Sequence, residues 1–245
     1  MLPTFFNNKM EKYQNFLGRI GEFEIPDMDL GKSYFNGRAS LADKIDEDNR
    51  LRGFYGDTVV FELDDDVKNI IGKMIDEVYE AASGCFAERL DNQTLHMTLH
   101  DLSNSKSLCD VNDAMEENLS KIRDRLDEFQ EYRIKMKTNC IFNMVNTSLV
   151  MGLVPVDENE HDKLMRLWNI IDGVKKSPYP LTPHITLGYY NVHGFSAENI
   201  RRLEKIVGEL NRRGKIYITL DTKKLFYQRF KSMNKYENVL GLIQQ

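Results

Sequence analysis

The pattern His-x-Thr-Leu occurs twice in this 245-residue chain, as His96-Met97-Thr98-Leu99 and as His184-Ile185-Thr186-Leu187. Only five histidines are present, and two of them head this pattern. At the chain's own Thr and Leu content, two chance copies arise on the order of once in 10⁴ sequences, so the pair is a motif that needs a mechanism. Each copy lies in an apolar run, Leu95–Leu99 and Pro183–Leu187, which reads as a strand. Side chains alternate faces along a strand, so His96 and Thr98 share one face while Met97 and Leu99 point into a core. His184 and Thr186 do the same, with Ile185 and Leu187 inward. The chain must therefore fold so that two similar halves each present an imidazole and a hydroxyl.

The surrounding segments repeat in the same order. TVVFEL (58–63) is β-branched and aromatic and predicts a strand. Asp64, Asp65 and Asp66 supply a helix cap and an acidic first turn, and apolar residues at helical spacing from Val67 to Val78 predict a helix over 66–82. The first motif follows in 94–102, then a helix over 109–129 and strands near 131–144. TSLVMGLVPV (147–156) opens the second half as a strand. Asp157 and Glu160 form a capping box for a helix over 158–174. The second motif follows in 182–190, then a helix over 197–212 behind Ser196, and strands at 215–220, 223–230 and 236–243. Sequence identity between the halves is low outside the motif, so the repeat is one of architecture. The expectation is an α+β fold of two pseudo-twofold-related lobes, 57–144 and 146–245. Each is an antiparallel sheet with helices on its outer face, and a cleft lies between them. Residues 1–55 read as an N-terminal extension packed on this 56–245 core, with a short helix near 8–18 and Phe5, Phe6, Tyr13, Phe16 and Leu17 as its apolar residues.

The net charge of −5 excludes a generally basic nucleic-acid coat. The charge is uneven: Arg201–Lys235 holds 11 Lys/Arg against three acids, about +8. That stretch is either a phosphate-attracting surface or a set of solvated helix and strand edges. Cys85, Cys109 and Cys140 are odd in number and widely spaced, with no Cys-x-x-Cys, which suggests reduced thiols and gives no support for zinc. No basic and apolar leader and no membrane-length apolar run is present, so the expected location is the cytoplasm.

Two imidazoles and two hydroxyls facing one cleft suit metal-free phosphodiester chemistry. One neutral His takes a proton from water or a ribose hydroxyl, and the other, protonated, gives one to the leaving oxygen. The Thr hydroxyls donate hydrogen bonds to phosphoryl oxygens as charge builds there. A metal at His96 and His100 would need those residues one helical turn apart, and the strand context and the lack of a further ligand pattern argue against it. By strand parity His100 shares the His96 face, as a rim residue that could widen a phosphate site. Tyr190 shares the His184 face and could stack on a base or bond the phosphate, with Tyr189 in the core. Tyr55 and Arg52, just before the first strand, are placed at the cleft mouth. Trp168 reads as core, and His161 and His193 as surface residues.

The paired HMTL and HITL resemble the two His-x-Thr/Ser signatures of the 2H phosphoesterase superfamily, which includes 2′,3′-cyclic phosphodiesterases and the so-called 2′-5′ RNA ligases. TPHITLGYY (182–190) is especially similar to the second signature, and the resemblance spans roughly 57–230. It implies a two-lobed fold with antiparallel sheets lining the cleft, and His96, Thr98, His184 and Thr186 as the catalytic and phosphate-binding residues. It further implies a monomeric phosphoric diester hydrolase without cofactor or metal, whose ligand is a nucleotide or RNA end with a cyclic or 2′-5′ phosphodiester. The first 55 residues exceed the smallest members and place the chain in an extended subgroup. A non-catalytic nucleotide-binding module using the same cleft is an alternative, as is an RNA-end processing or ligase enzyme holding a longer strand on 201–235.

Overall fold

The computed structural model describes residues 10–24 and 30–243. Phe5, Phe6 and the start of the expected first helix lie outside them. That helix, α1, runs Tyr13–Gly21 and buries Phe16 and Ile20. A two-residue strand β1 (Tyr34–Phe35) and a 3-10 turn (Ala39–Asp43) follow. The first half is β2 (Tyr55–Glu62), α2 (Asp65–Ala82), β3 (His96–Ser105) and α3 (Leu108–Arg123). The second begins with β4 (Arg133–Met144), β5 (Ser148–Pro155), α4 (Glu158–Asp172) and β6 (His184–Tyr189). It ends with β7 (Phe195–Ser196), α5 (Ala197–Asn211), β8 (Tyr217–Asp221), β9 (Leu225–Ser232) and β10 (Lys235–Gly241).

The helices form where apolar spacing and capping direct them. Asp64 precedes α2 in extended conformation, but its carboxylate takes Lys224 at 2.6 Å instead of the first-turn amides. Asp157 caps α4 by accepting the Glu160 amide at 3.0 Å. The reciprocal half of that box is absent, because the Glu160 carboxylate accepts the Lys135 amide and the Lys163 ammonium.

Two antiparallel four-stranded sheets carry the motifs, in the orders β10-β9-β2-β3 and β6-β5-β4-β8. The sheets do not follow the two sequence halves. Strand β4, expected in the first lobe, joins the second sheet through its hairpin with β5, and the C-terminal hairpin β9–β10 crosses back to flank β2. The three-residue turn Val145–Thr147, with Val145 and Asn146 at positive φ, determines this: so short a connection places β5 antiparallel beside β4. Each motif strand is consequently an edge strand, and β3 and β6 lie next to each other. Helix α3 packs on β2 and β3, α5 on β4, and α4 spans the seam from β3 to β4 and β5. One apolar core runs through both halves and includes Met97, Leu99, Ile185 and Leu187.

The N-terminal segment braces this arrangement. Phe16 and Ile20 of α1 pack on Val154 of β5, and Phe23 stacks on Phe142 of β4. His161, expected at the surface, is fully buried, because the rings of Tyr13 and Phe16 cover it. Phe35, 1% exposed, stacks on Phe195 and meets Tyr190 edge-on. Asn49 then ties both halves: its carbonyl accepts the Glu88 amide and its side chain the Val192 amide. Trp168 is only partly buried, beside His100.

Phe35→Ala removes a ring from between the extension and the second half and is expected to cost about 3–5 kcal/mol. Urea unfolding checks this. A loss under about 1 kcal/mol, the range of an ordinary surface change, would mean that the extension is not anchored there.

Candidate active site

The two motifs reach the same local geometry. The His96 Nδ1 donates to the Thr94 carbonyl at 2.6 Å, and the His184 Nδ1 donates to the Thr182 carbonyl at 2.7 Å. A carbonyl only accepts, so Nδ1 carries the hydrogen and Nε2 is the nitrogen left free in each neutral ring. Thr98 and Thr186 lie two residues on, partly exposed like the imidazoles, while Met97, Leu99, Ile185 and Leu187 are buried. Opposite His184 on β5 stands Gly152, where the Phe142 ring takes the place a side chain would need. Opposite His96 on β2 stands Glu62.

Strict alternation ends at the last residue of each motif. On β3, Thr98 pairs with Val60 and His100 with Val59, so Leu99 is an extra residue in the ladder. On β6, Thr186 pairs with Val150 and Gly188 with Leu149, so Leu187 is extra. A bulge of this kind reverses the parity of everything beyond it. His100 is therefore not on the imidazole face. It is 3% exposed, its Nε2 faces Asp172 of α4 at 3.4 Å, and its Nδ1 donates to the Asp101 carbonyl at 2.6 Å. Tyr190 is fully buried among Phe35, Phe86 and Phe195. Asp101, next to His100, is exposed instead, and Tyr189 is in the core as expected, with its hydroxyl donating to Met233 Sδ at 3.1 Å.

Tyr55 is also apart from the imidazoles. Tyr55 pairs with Ser105, at the other end of the ladder from the Glu62–His96 pair, about 23 Å away at the rise of a strand. The exposed Arg52 donates to the Ala42 carbonyl at 3.1 Å. His96, Thr98, His184 and Thr186 are the expected residues that the fold brings together.

Other side chains surround them that periodicity did not single out. Tyr236 of β10 meets the His96 ring edge-on, with centroids 5.0 Å apart. Tyr179 donates its hydroxyl to Asp101 at 2.9 Å, bridging the loop before β6 to β3. Lys44, at the end of the 3-10 turn in the extension, lies 5.0 Å from the Tyr189 ring centroid and 5.4 Å from that of Phe54. Arg19 of α1 donates to Thr182 Oγ1 and to the Leu181 carbonyl, steadying the residue that holds His184. Only tertiary structure assembles these, because they come from four separated segments. Among the described residues no cluster of three or more His, Cys, Asp or Glu side chains could hold a metal ion.

Burial lowers both imidazoles below their ordinary value of 6.5. The carbonyl bonds and the Asp101 carboxylate oppose that lowering in both rings. For His96 the neighbouring His184 and Lys68 add to it, and for His184 Lys44 does. The two rings thus sense each other and share one carboxylate. Both are expected to titrate below 6.5 by NMR of their ring protons. Asp101→Asn removes the carboxylate that favours the charged rings, so both should titrate at still lower pH. Ring signals unmoved by that substitution would show that Asp101 does not act on the pair.

No protein-family model matches the chain, and no curated protein is detectably similar to it in sequence. Solved structures do match. A conserved protein of unknown function from Agrobacterium tumefaciens str. C58, ATU0111, superposes with a TM-score of 0.65 at 16% identity, over 84% of this chain and 94% of that one. TT0787 of Thermus thermophilus matches at TM-score 0.49 and 11% identity, over 77% and 99% of the two chains. LigT of Escherichia coli in apo form matches at 0.46 and 13% identity, over 78% and 99%. The chain shares the fold of ATU0111: two antiparallel sheets with helices, the α+β architecture that the 2H phosphoesterase resemblance implied.

Proposed function

We propose that the chain is a metal-independent phosphoesterase that hydrolyses a 2′,3′-cyclic or 2′-5′-linked phosphodiester of a nucleotide. One observation carries this reading. The adjacent edges of two sheets each present a His whose Nδ1 is tied to the carbonyl two residues upstream, with a Thr hydroxyl two residues downstream.

Two free Nε2 atoms perform complementary steps. One imidazole takes a proton from water as the water oxygen bonds to phosphorus. The other, protonated, gives its proton to the ribose oxygen as the P–O bond breaks. A nucleoside monophosphate with a free hydroxyl remains. Thr98 and Thr186 donate to the non-bridging oxygens, which gain charge on the way to the transition state. Asp101 supports whichever ring is charged. The carbonyl bonds keep both rings in one tautomer and one orientation, which is what makes the exchange of roles between them possible.

The basic 201–235 stretch supports a small nucleotide more than a long RNA strand. Arg202 pairs with Glu198, Arg213 with Glu77, Lys223 with Glu131, Lys224 with Asp64 and Arg229 with Glu116. These five of the eleven cations are already neutralised by carboxylates, which lowers the number of counterions the stretch would release on binding a phosphate backbone.

The test is turnover of the four 2′,3′-cyclic mononucleotides and a 2′-5′ dinucleotide, with EDTA present. His96→Ala and His184→Ala are each expected to lower kcat/KM by about 10³-fold. The wild-type kcat/KM should pass through a maximum below pH 6.5 and fall as the acid loses its proton. Near-full turnover by His184→Ala would overturn the two-histidine mechanism. Tight binding of nucleoside monophosphates without any turnover would favour the binding-module reading. A steep salt dependence of RNA binding would restore the longer substrate.

A further inference from the structure

We propose that Lys44, carried by the N-terminal extension, is the cation that binds the phosphoryl group on the His184 side of the cleft. The proposal rests on the phosphoesterase reading for the identity of the anion, and on separate geometry for its place.

Lys44 ends the 3-10 turn Ala39–Asp43, and its backbone is pinned on both sides. Its amide donates to the Leu41 carbonyl at 3.0 Å, and its carbonyl accepts the Arg52 amide at 2.9 Å. A fixed backbone directs the side chain between two rings, Phe54 from its own segment and Tyr189 from the motif strand β6. Tyr189 faces this way because of the bulge at Leu187, so the feature that ends the second motif also seats the ammonium. The rings attract the cation, and a hydrogen bond to Tyr189 takes one of its three N–H donors and leaves the others for a ligand.

The charge state agrees with that placement. Burial pulls the Lys44 ammonium down, but the Tyr189 hydroxyl and the Asp101 and Asp43 carboxylates outweigh it and hold it above 10.5. Even so, Lys44 forms no salt bridge among the described residues, unlike Arg213, Lys224 and Arg229. A partly buried ammonium without a salt bridge, seated against Tyr189 of the second motif strand and acting on His184, is a ready partner for an anion. Lys68 acts on His96 as Lys44 acts on His184, with one of its three donors held by the Gln93 carbonyl at 3.1 Å. The Asp101 carboxylate repels a phosphate, and the Lys44 ammonium offsets that repulsion.

Lys44→Met keeps an apolar stem of similar length between Phe54 and Tyr189 and removes the charge. It is expected to lower kcat/KM for the 2′,3′-cyclic nucleotide that the wild type cuts fastest by about 10²-fold, with Lys44→Arg within about 10-fold of wild type. Calorimetric titration with the matching nucleoside 3′-monophosphate should show a more than tenfold loss for Lys44→Met. Affinity for the nucleoside without phosphate should be unchanged, which also shows that the cleft is intact. Wild-type activity that His184→Ala abolishes and Lys44→Met leaves untouched, with monophosphate affinity also untouched, overturns the role of Lys44 and leaves the phosphoesterase reading standing. Monophosphate binding that depends on Lys44, without turnover by the wild type, overturns the phosphoesterase reading and supports this one. A wild-type protein that neither turns over a cyclic nucleotide nor binds a monophosphate overturns both.

Discussion

An extra residue in the ladder, Leu99 in one sheet and Leu187 in the other, decides which side chains this protein can use. Up to each bulge, strand alternation presents His and Thr together and buries the apolar residues between them. Beyond it the faces exchange. The first strand thereby sinks His100 against Asp172 and raises Asp101 beside the imidazoles, while the second sinks Tyr190 into an aromatic cluster and turns Tyr189 toward Lys44. The buried leucines anchor both bulges, so the reversal is held by core packing and not by the polar groups it arranges.

The same economy appears in how the imidazoles are held. Each ring is oriented by a carbonyl of its own strand's approach, Thr94 or Thr182, so neither needs a carboxylate behind it. A backbone acceptor sets the tautomer without adding charge, and burial then lowers both rings below 6.5. The charge that tunes them comes from elsewhere: Asp101 acts on both rings, Lys68 on His96 and Lys44 on His184. Orientation and electrostatics are supplied by different parts of the fold, and each can vary without destroying the other.

The N-terminal extension has two tasks that share one path. Its aromatic residues fasten it to the second half through Phe16, Phe23 and Phe35, and its Asn49 links both halves. Once fastened, it delivers Lys44 between Phe54 and Tyr189. Strand exchange does for the sheets what the extension does for their flank: β9 and β10 return from the C-terminal end to complete the sheet of β3, so the halves are not separable units.

The sequence by itself determined the local features: two motif strands with His and Thr on one face, five helices placed to within a few residues, the two-sheet α+β class, and four residues that converge. Those depend on periodicity and capping, which act between neighbours along the chain. Tertiary structure alone decided which strands share a sheet, because pairing partners such as β2 and β9 lie far apart in sequence and a strand's pattern names no partner. It also decided the fate of His100 and Tyr190. A bulge leaves no mark on an apolar run, since an extra leucine fits the alternating pattern as well as a paired one. Lys44, Asp101, Tyr179 and Tyr236 were illegible for the related reason that a site built from separate segments exists only once packing has set the distances between them.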